Sequence, residues 1–243
     1  MKVIALIPAR YDSTRFPGKM LAVLGDKTVI RTTYEAVKAL GIFDDVFVVT
    51  DHHGIYEEIT GNGGKAIMSL KNHDTGTDRI AEAAENLDAD VVFNIQGDEP
   101  FVNSNALESL FGAFNDPNVD VATLMQKLDS ENEIDNPNFV KVVTDLNDFI
   151  IYFSRSRVPY NRDGLSGIEY YEHIGVYAFR KDALLKFSKL SPTPNELAEK
   201  VEPIRFLENG MKIKVYRTEY MGIEIDTPED LIKANELINH KSK

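Results

Sequence analysis

The loop at residues 9–19 has the residue types of a phosphate-binding loop. It follows an apolar stretch at residues 3–8 and contains three cations close together, Arg10, Arg15 and Lys19. Backbone N–H groups and cations at the end of a strand can bind the oxygens of a polyphosphate, and Gly18 allows the backbone to approach such a ligand closely. The loop is not a Walker-type P-loop, because Ser13 stands where that motif has its first glycine. The residues therefore predict a polyphosphate site of a different kind.

Two aspartates are candidates for binding a divalent cation. Asp98 follows an apolar stretch at residues 90–95, and Asp226 precedes a helix signal at residues 228–239 that begins with proline. Near a triphosphate, Mg²⁺ is bound by one or two carboxylates together with phosphate oxygens. Each residue also has a structural alternative: Asp98 as a cap or turn residue, and Asp226 as the N-cap of the last helix. From the residues alone we expect Asp98 to bind Mg²⁺, and both roles stay open for Asp226.

Apolar stretches alternate with helix-length periodic segments over the first half of the chain. Strands are predicted at residues 3–8, 45–50, 65–68 and 90–95, and helices between them at residues 29–40, 55–60 and 77–87. This alternation predicts an α/β fold with a doubly wound, mostly parallel, Rossmann-like sheet. Ligands of such sheets bind outside the carboxyl ends of the strands. The loops expected to carry functional residues are therefore 9–19, 51–54, 70–78 and 96–100.

The pattern changes from about residue 121. Short strands are predicted at residues 121–124, 140–143, 150–153 and 173–179, which is typical of an antiparallel subdomain. A helix over residues 193–208, a strand over residues 212–216 and the terminal helix follow. We therefore expect one domain over residues 1–243, with a nucleotide-binding core at about 1–120 and 205–243 and a smaller insertion at about 121–204.

Composition argues against several classes of function. The chain of 243 residues has a formal net charge of -12, which disfavours nucleic acid and anionic membranes as partners. It contains no cysteine, so disulfides, thiolate catalysis and cysteine-bound zinc are excluded. No apolar stretch approaches the length of a membrane span, and the absence of cysteine fits a cytoplasmic protein. An anionic ligand must be attracted by local cations, because the net charge repels it.

Two apparent motifs carry no functional expectation. Residues 61–66 match the dinucleotide-binding pattern G-x-G-x-x-A, but they follow a predicted helix and precede a predicted strand, which is the reverse of the required order. The five histidines have no metal-ligand spacing. His173, at the start of an apolar strand, indicates a core residue when it is taken alone.

Nine short motifs occur in order along the chain and carry a resemblance to a known family. They lie at residues 8–11, 13–15, 17–19, 50–51, 76–77, 96–100, 152–155, 173–177 and 226–230. Together they resemble the 3-deoxy-manno-octulosonate cytidylyltransferase (CMP-Kdo synthetase) family over nearly the whole chain. The resemblance implies transfer of CMP from CTP to the anomeric hydroxyl of a 3-deoxy-octulosonic acid (Kdo), with release of pyrophosphate. It also implies Mg²⁺, a homodimer and a role in lipopolysaccharide or capsule synthesis.

The resemblance implies a role for each group of candidate residues. CTP would be bound by Ala9, Arg10, Arg15, Lys19, Gly76, Thr77 and Arg79. The catalytic residues would be Lys19, Asp98 and Asp226, of which the two aspartates bind Mg²⁺. The sugar acid would be contacted by Gln96, Arg155, His173, Glu202 and Glu224. For His173 this implication outweighs the interpretation as a core residue, and the insertion at about 121–204 becomes the part that binds sugar and forms the dimer.

Three positions depart from the family pattern in the sugar-binding half. Glu172 stands where a basic residue is common, Pro203 where the family has an amide, and Glu224 within a run that is usually Gly-Thr-Gly-Val. A buried carboxylate near a sugar is unfavourable unless a cation pairs with it. One hypothesis is therefore an amino sugar, 8-amino-3,8-dideoxy-manno-octulosonate, with its ammonium facing Glu224. The alternative is that Glu224 points to solvent or contacts a neighbouring strand.

Two rival functions stay open at this point. One is a transferase for another nucleotide or another ulosonic acid, and the other is a nucleotide-binding regulator without turnover. The joint presence of Lys19, Asp98 and Asp226 argues against the regulator, because binding alone would not require two metal-binding carboxylates.

Overall fold

The computed structural model describes residues 1–13, 15–71, 73, 75–219 and 223–241. The chain divides into two compact units, Met1–Ser104 with Met221–Lys243 and Asn105–Tyr220. The second unit contains the insertion predicted at about 121–204 and extends beyond it at both ends. The strand predicted at residues 212–216 was assigned to the nucleotide-binding core. In the structure it pairs within the second unit.

The first unit is built on a parallel sheet. Its elements up to residue 104 are β1 (Val3–Ala9), β2 (Val23–Leu24), β3 (Lys27–Thr28), α1 (Val29–Ala39), β4 (Asp45–Thr50), α2 (His53–Gly61), β5 (Ala66–Met68), α3 (Gly76–Glu85) and β6 (Val91–Asn94). The strands run in the order β6-β1-β4-β5, and every neighbouring pair is parallel. Strands β2 and β3 form a separate antiparallel pair. The four strands and three helices predicted for this part of the chain are confirmed.

The central strand β1 forms the buried middle of this sheet. All seven of its residues are buried, as expected for a parallel strand that is covered on both faces. Helix α1 packs an apolar face that includes Ile30, Tyr34 and Val37, and it begins where the Thr28 hydroxyl accepts a hydrogen bond from the Arg31 N–H. Because β1, β4, β5 and β6 are parallel, the loops that follow these four strands lie at the same edge of the sheet.

The second unit contains most of the antiparallel pairing. Its elements are α4 (Ser104–Gly112), β7 (Val121–Leu128), α5 (Glu131–Asp135), β8 (Lys141–Thr144), β9 (Ile150–Ser154), β10 (Tyr170–Arg180), α6 (Lys181–Phe187), α7 (Pro194–Glu199), α8 (Ile204–Glu208) and β11 (Ile213–Thr218). Strand β10 pairs antiparallel with β7 and β8, and β8 pairs antiparallel with β9. Strand β11 pairs parallel with β7. The predicted antiparallel strands are confirmed, whereas α4, α5 and α6 were not predicted.

The single helix predicted over residues 193–208 is wrong. The segment forms two short helices, α7 and α8, separated by a break. Lys200 ends α7 in the left-handed conformation with φ of 54°, and Pro203 has no backbone N–H to continue a helical ladder. Apolar periodicity is present on both sides of the break, so the pattern indicates helix but not its interruption.

The terminal helix α9 (Pro228–Lys241) returns the chain to the first unit. Ala234 on this helix and Ile225 before it are fully buried in one apolar cluster with Leu24 and Val29. This packing fixes the segment that contains Asp226. Among the described residues, no helix is long and apolar enough to cross a membrane.

Candidate active site

The phosphate loop, residues 9–19, is closed by its own backbone. The Gly18 N–H donates a hydrogen bond to the Tyr11 carbonyl over 3.1 Å, and Gly18 has the left-handed φ of 72° that glycine adopts without strain. The Tyr11 ring stacks on His52, with ring centroids 4.0 Å apart. Sequence reasoning placed His52 in a loop and did not find this contact. The hydrogen bond and the stack fix Tyr11 and Gly18 within the loop.

Lys19 is the centre of the site in the first unit. Its ammonium donates to the carboxylate of Asp98 and to Oδ1 of Asp226, the latter over 2.9 Å. Arg15 forms a second ion pair with Asp226, with 2.7 Å between Nη2 and Oδ2. Burial lowers the pKa of Lys19, but the charges and hydrogen bonds of Asp98 and Asp226 outweigh this and raise it overall. Lys19 therefore carries a positive charge at neutral pH.

Asp98 is positioned by a tight approach between backbone segments. It follows β6, and the carbonyl of the preceding Gly97 accepts a 2.8 Å hydrogen bond from the Thr33 hydroxyl. A Cβ at Gly97 would lie 3.0 Å from the Pro8 carbonyl oxygen. The Asp98 carbonyl in turn accepts a 2.9 Å hydrogen bond from the Ile225 N–H. The loop after β6 and the segment before α9 are thus joined directly, which brings Asp98 and Asp226 together.

A third carboxylate, that of Glu224, belongs to the same cluster. One oxygen each from Asp98, Glu224 and Asp226 lies within 4.8 Å of the others. Although Glu224 reaches the surface, surrounding protein atoms and the charges of Asp98 and Asp226 raise its pKa to about 7. Burial raises the pKa of the neighbouring Glu99 to about 8, and the charges of Glu224 and Asp98 contribute to that shift. The site therefore concentrates negative charge that only two cations, Lys19 and Arg15, offset in the described ion pairs.

The donor set fits a divalent cation. Mg²⁺ prefers carboxylate oxygens, and the two predicted ligands, Asp98 and Asp226, already share a cation in the form of the Lys19 ammonium. The structure thus brings the predicted catalytic residues into one cluster. Glu224 was predicted to contact the sugar, and its place beside these two aspartates was not anticipated.

The other predicted CTP residues lie at neighbouring strand ends. Arg79 is buried, and its guanidinium donates to Asp51 Oδ2 over 2.6 Å and to the Ser69 hydroxyl over 2.9 Å. Asp51 and Ser69 directly follow β4 and β5. Helix α3 begins nearby with a cap, because the Thr75 hydroxyl accepts a hydrogen bond from the Asp78 N–H. Arg79 is therefore held in place by groups on two strand ends.

The remaining candidates of this group differ in exposure. Ala9 and Thr77 are buried, whereas Arg10 is exposed. A Cβ at Gly76 would lie 3.3 Å from the Pro8 ring, so the start of α3 packs closely against the end of β1. Three positions of the predicted loops, Thr14, Asn72 and Asp74, lie outside the described residues.

Two of the predicted sugar-binding residues, Gln96 and Glu224, lie in the first unit, and Arg155, His173 and Glu202 lie in the second. The imidazole of His173 lies edge-on to Phe153, and its Nε2 is 2.6 Å from the Tyr177 hydroxyl. Burial lowers the pKa of His173 to about 3. The ring is therefore neutral at physiological pH, and its described polar contacts are hydrogen bonds. Tyr177 was not singled out from the sequence.

Arg155 is engaged in holding backbone. Its Nε donates to the Glu199 carbonyl over 2.5 Å, and its terminal nitrogens donate to the carbonyls of Pro137 and Lys200. The Glu199 carboxylate accepts from the Arg155 N–H and from the Ser154 hydroxyl. This arrangement fixes the end of α7 against the end of β9. Glu202 follows three residues later, and its charge helps to raise the pKa of Tyr177, for which burial is the larger cause.

Residues 61–66, the apparent dinucleotide motif, are structural as expected. They connect the end of α2 to β5. A Cβ at Gly64 would lie 2.9 Å from the Ile59 carbonyl oxygen and 2.7 Å from the Ile59 side chain. The Lys65 N–H donates to the Tyr34 hydroxyl over 3.0 Å. Glycine is required here by close packing.

Comparison with known proteins identifies the class to which this fold and site belong. The cytidylyltransferase family profile matches residues 4–213, so the chain belongs to the cytidylyltransferase family. A 3-deoxy-manno-octulosonate cytidylyltransferase from Flavobacterium johnsoniae is 54% identical over 241 residues, which cover 98% of this chain and 99% of that protein. One from Bacteroides thetaiotaomicron is 44% identical over the full length of both chains. The resemblance to the 3-deoxy-manno-octulosonate cytidylyltransferases is therefore confirmed.

The solved structures agree with this assignment. A CMP:2-keto-3-deoxy-manno-octonic acid synthetase complexed with CTP superposes with a TM-score of 0.94 at 36% identity, covering 99% of this chain and all of that one. A 4-diphosphocytidyl-2C-methyl-D-erythritol synthase from Anaerococcus prevotii has a TM-score of 0.64 at 19% identity and shows the shared fold alone. The predicted Rossmann-like α/β fold with a smaller antiparallel part is confirmed.

Proposed function

We propose that the protein transfers CMP from CTP to the anomeric hydroxyl of 3-deoxy-manno-octulosonate and releases pyrophosphate, with Mg²⁺ as cofactor. The observation that carries this proposal is the cluster of Lys19, Asp98 and Asp226 at the end of the phosphate loop. It combines a fixed cation for a triphosphate with a pair of carboxylates for a metal ion. The 54% identity to a named cytidylyltransferase supports the choice of both substrates.

The reaction forms one P–O bond and breaks another. The anomeric oxygen attacks the α-phosphorus of CTP, and the bond from that phosphorus to the β-phosphate oxygen breaks, so negative charge grows on pyrophosphate. Lys19 and Arg15 are the residues that would stabilise this charge. Both cations contact Asp226 in the structure, so they must exchange part of these contacts for phosphate oxygens when CTP binds.

Asp98 and Asp226 are the residues that would hold Mg²⁺. Bound there, the ion would neutralise phosphate charge and favour loss of the proton from the attacking hydroxyl. The protein's own contribution is to fix the two carboxylates through Gly97 and Ile225 and to keep Lys19 charged beside them. Positioning and electrostatic stabilisation are the main tasks in a phosphoryl-type transfer.

The sugar-binding residues stay a proposal on the family pattern. His173 is neutral, so we infer that it hydrogen-bonds the sugar acid. A different group would then neutralise the carboxylate of the sugar. Arg155, Gln96 and Glu202 are proposed contacts on resemblance alone. The amino-sugar alternative predicted from Glu224 has no separate geometric support, because the Glu224 carboxylate lies with Asp98 and Asp226.

A homodimer and a cytoplasmic location are parts of the proposal that the sequence predicts. The second unit exposes large apolar side chains, including Ile151, Tyr160 and Leu165, and such side chains often mark contact surfaces. CTP is a cytoplasmic metabolite, so its use is consistent with that location. Size-exclusion chromatography with light scattering would measure the mass in solution and tests the dimer.

The proposed reaction is tested by following pyrophosphate release from CTP and Mg²⁺ with Kdo or its 8-amino analogue as acceptor. We expect turnover with Kdo and a loss of at least about 10²-fold in kcat for Asp98→Asn and Asp226→Asn. Glu229→Gln is the matched control, because Glu229 is exposed three residues from Asp226. Turnover with the amino sugar alone would establish the amino-sugar alternative. Full activity of Asp98→Asn would contradict the metal role.

A further inference from the structure

The segment before α9 projects two carboxylates toward Asp98. Ile225 is fully buried among Leu24, Val29 and Ala234, and its N–H donates to the Asp98 carbonyl over 2.9 Å. With Ile225 turned into the core and its backbone bonded to the loop after β6, the residues on either side of it lie next to that loop. One of these neighbours is Asp226, and the other is Glu224.

The spacing of the three carboxylates suits a single ion. Oxygens of Asp98, Glu224 and Asp226 lie within 4.8 Å of one another, whereas two ligands on opposite sides of Mg²⁺ are about 4 Å apart. Glu224 is exposed, so a small side-chain rotation suffices to close the difference. Asp98 and Asp226 need no movement of comparable size, because Lys19 already holds them together.

The distribution of charge also favours a cation beside Glu224. Lys19 and Arg15 are paired with Asp98 and Asp226, and among the ion pairs of the described residues none includes Glu224. A third negative charge within this cluster is unfavourable unless a further positive charge joins it. The space between the three carboxylates is where such a charge would be stabilised most.

We propose that Glu224 is a third carboxylate ligand for the divalent metal and raises the affinity of the site for it. The proposal rests on the proposed function, because it concerns the metal that Asp98 and Asp226 would hold. It assigns Glu224 to the metal rather than to the sugar acid.

The test measures metal binding directly and does not depend on turnover. Titration of the purified protein with Mn²⁺, in the presence of CTP and without sugar, is followed by electron paramagnetic resonance of the free ion, and the Mn²⁺ bound by CTP alone is measured without protein and subtracted. We expect Glu224→Gln to raise the Kd for Mn²⁺ at least about tenfold, and Glu224→Asp to raise it less. Glu229→Gln should bind Mn²⁺ as the wild type does. Circular dichroism confirms that each variant is folded.

Each outcome separates the two proposals. An unchanged Kd for Mn²⁺ in Glu224→Gln overturns the role of Glu224, and an accompanying loss of preference for the amino sugar would reassign it to sugar recognition. Wild-type protein that binds Mn²⁺ through Glu224 but transfers no CMP would leave this inference standing and overturn the proposed function. Wild-type protein that binds no Mn²⁺ would overturn both.

Discussion

The ammonium of Lys19 lies 2.9 Å from the Oδ1 atom of Asp226, a residue 207 positions further along the chain. The same ammonium donates to Asp98, which is 79 positions away from Lys19. One buried cation therefore joins the phosphate loop, the loop after β6 and the segment before α9. Segments that are far apart in the sequence are thus held together by contacts with one side chain.

Replacing Lys19 with methionine should destabilise the protein in a way that metal reverses. The change leaves Asp98 and Asp226 without their shared cation, and breaking a buried ion pair costs about 3–5 kcal/mol. Because Asp226 is partly exposed, we expect the free energy of unfolding to fall by about 3 kcal/mol in EDTA. Added Mn²⁺ should restore more stability to Lys19→Met than to the wild type, since the ion supplies the missing positive charge.

The matched control is Lys27→Met. Lys27 pairs with Glu35, and both side chains are about one-third exposed, at 34% and 37%, so its loss should cost less than about 1 kcal/mol. Urea unfolding of both variants provides the comparison. Equal losses of stability in the two variants would show that Lys19 is not the buried centre of the cluster.

The sequence predicted which loops carry the site but not how their side chains pair. Continuous apolar strands such as β1 and β6 are visible in the pattern, and the rule for parallel sheets places ligands at their carboxyl ends. Lys19, Asp98 and Asp226 were therefore found. The place of Glu224 beside them depends on the Ile225 N–H bond to the Asp98 carbonyl, a backbone contact that residue types do not reveal.

The break between α7 and α8 shows a second limit of pattern reasoning. Glu196 and Arg205 form a buried ion pair, with 2.8 Å between Oε2 and Nε. In one continuous helix, two residues nine positions apart would lie about 180° apart around the axis and could not meet. The break at Lys200 and Pro203 is what lets them pair. The apolar pattern contains no information about this turn.

Replacing Gly97 with alanine should impair both stability and turnover. The new Cβ would lie 3.0 Å from the Pro8 carbonyl oxygen and 3.0 Å from the Ile30 side chain. Overpacking of this kind lowers the free energy of unfolding by about 1–3 kcal/mol. We expect the backbone shift that accommodates the Cβ to displace Asp98, so kcat for pyrophosphate release should fall by roughly tenfold or more. Gly112→Ala is the control, because nothing lies within 4 Å of its added Cβ. Unchanged kcat in Gly97→Ala would mean that Asp98 tolerates displacement.

Replacing Glu196 with glutamine should lower stability without changing the chemistry. Arg205 also donates to the Leu190 carbonyl and lies 4.6 Å above the Phe187 ring, so its charge would stay buried without its carboxylate. We expect a loss of about 3 kcal/mol in the free energy of unfolding and an unchanged kcat for the folded protein. Glu131→Gln, which removes the carboxylate of an exposed pair with Arg157, should change stability by less than about 1 kcal/mol. A large fall in kcat for Glu196→Gln would instead place this pair in the catalytic machinery.

His173 should stay neutral down to acidic pH, and the free energy of unfolding should therefore decrease as the pH falls. Its pKa is lowered to about 3 in the folded protein, whereas an unfolded histidine has a pKa of about 6.5. The unfolded state therefore binds the proton first, and stability is lost as the pH falls below about 6.5. His173→Asn should reduce the fall in unfolding free energy between about pH 6.5 and 4. In ¹³C-labelled wild-type protein, the His173 imidazole signal, assigned by its absence from the variant, should not shift between about pH 8 and 5. A midpoint near pH 6 would contradict the lowered pKa and would show that the ring can take up a proton in the folded protein.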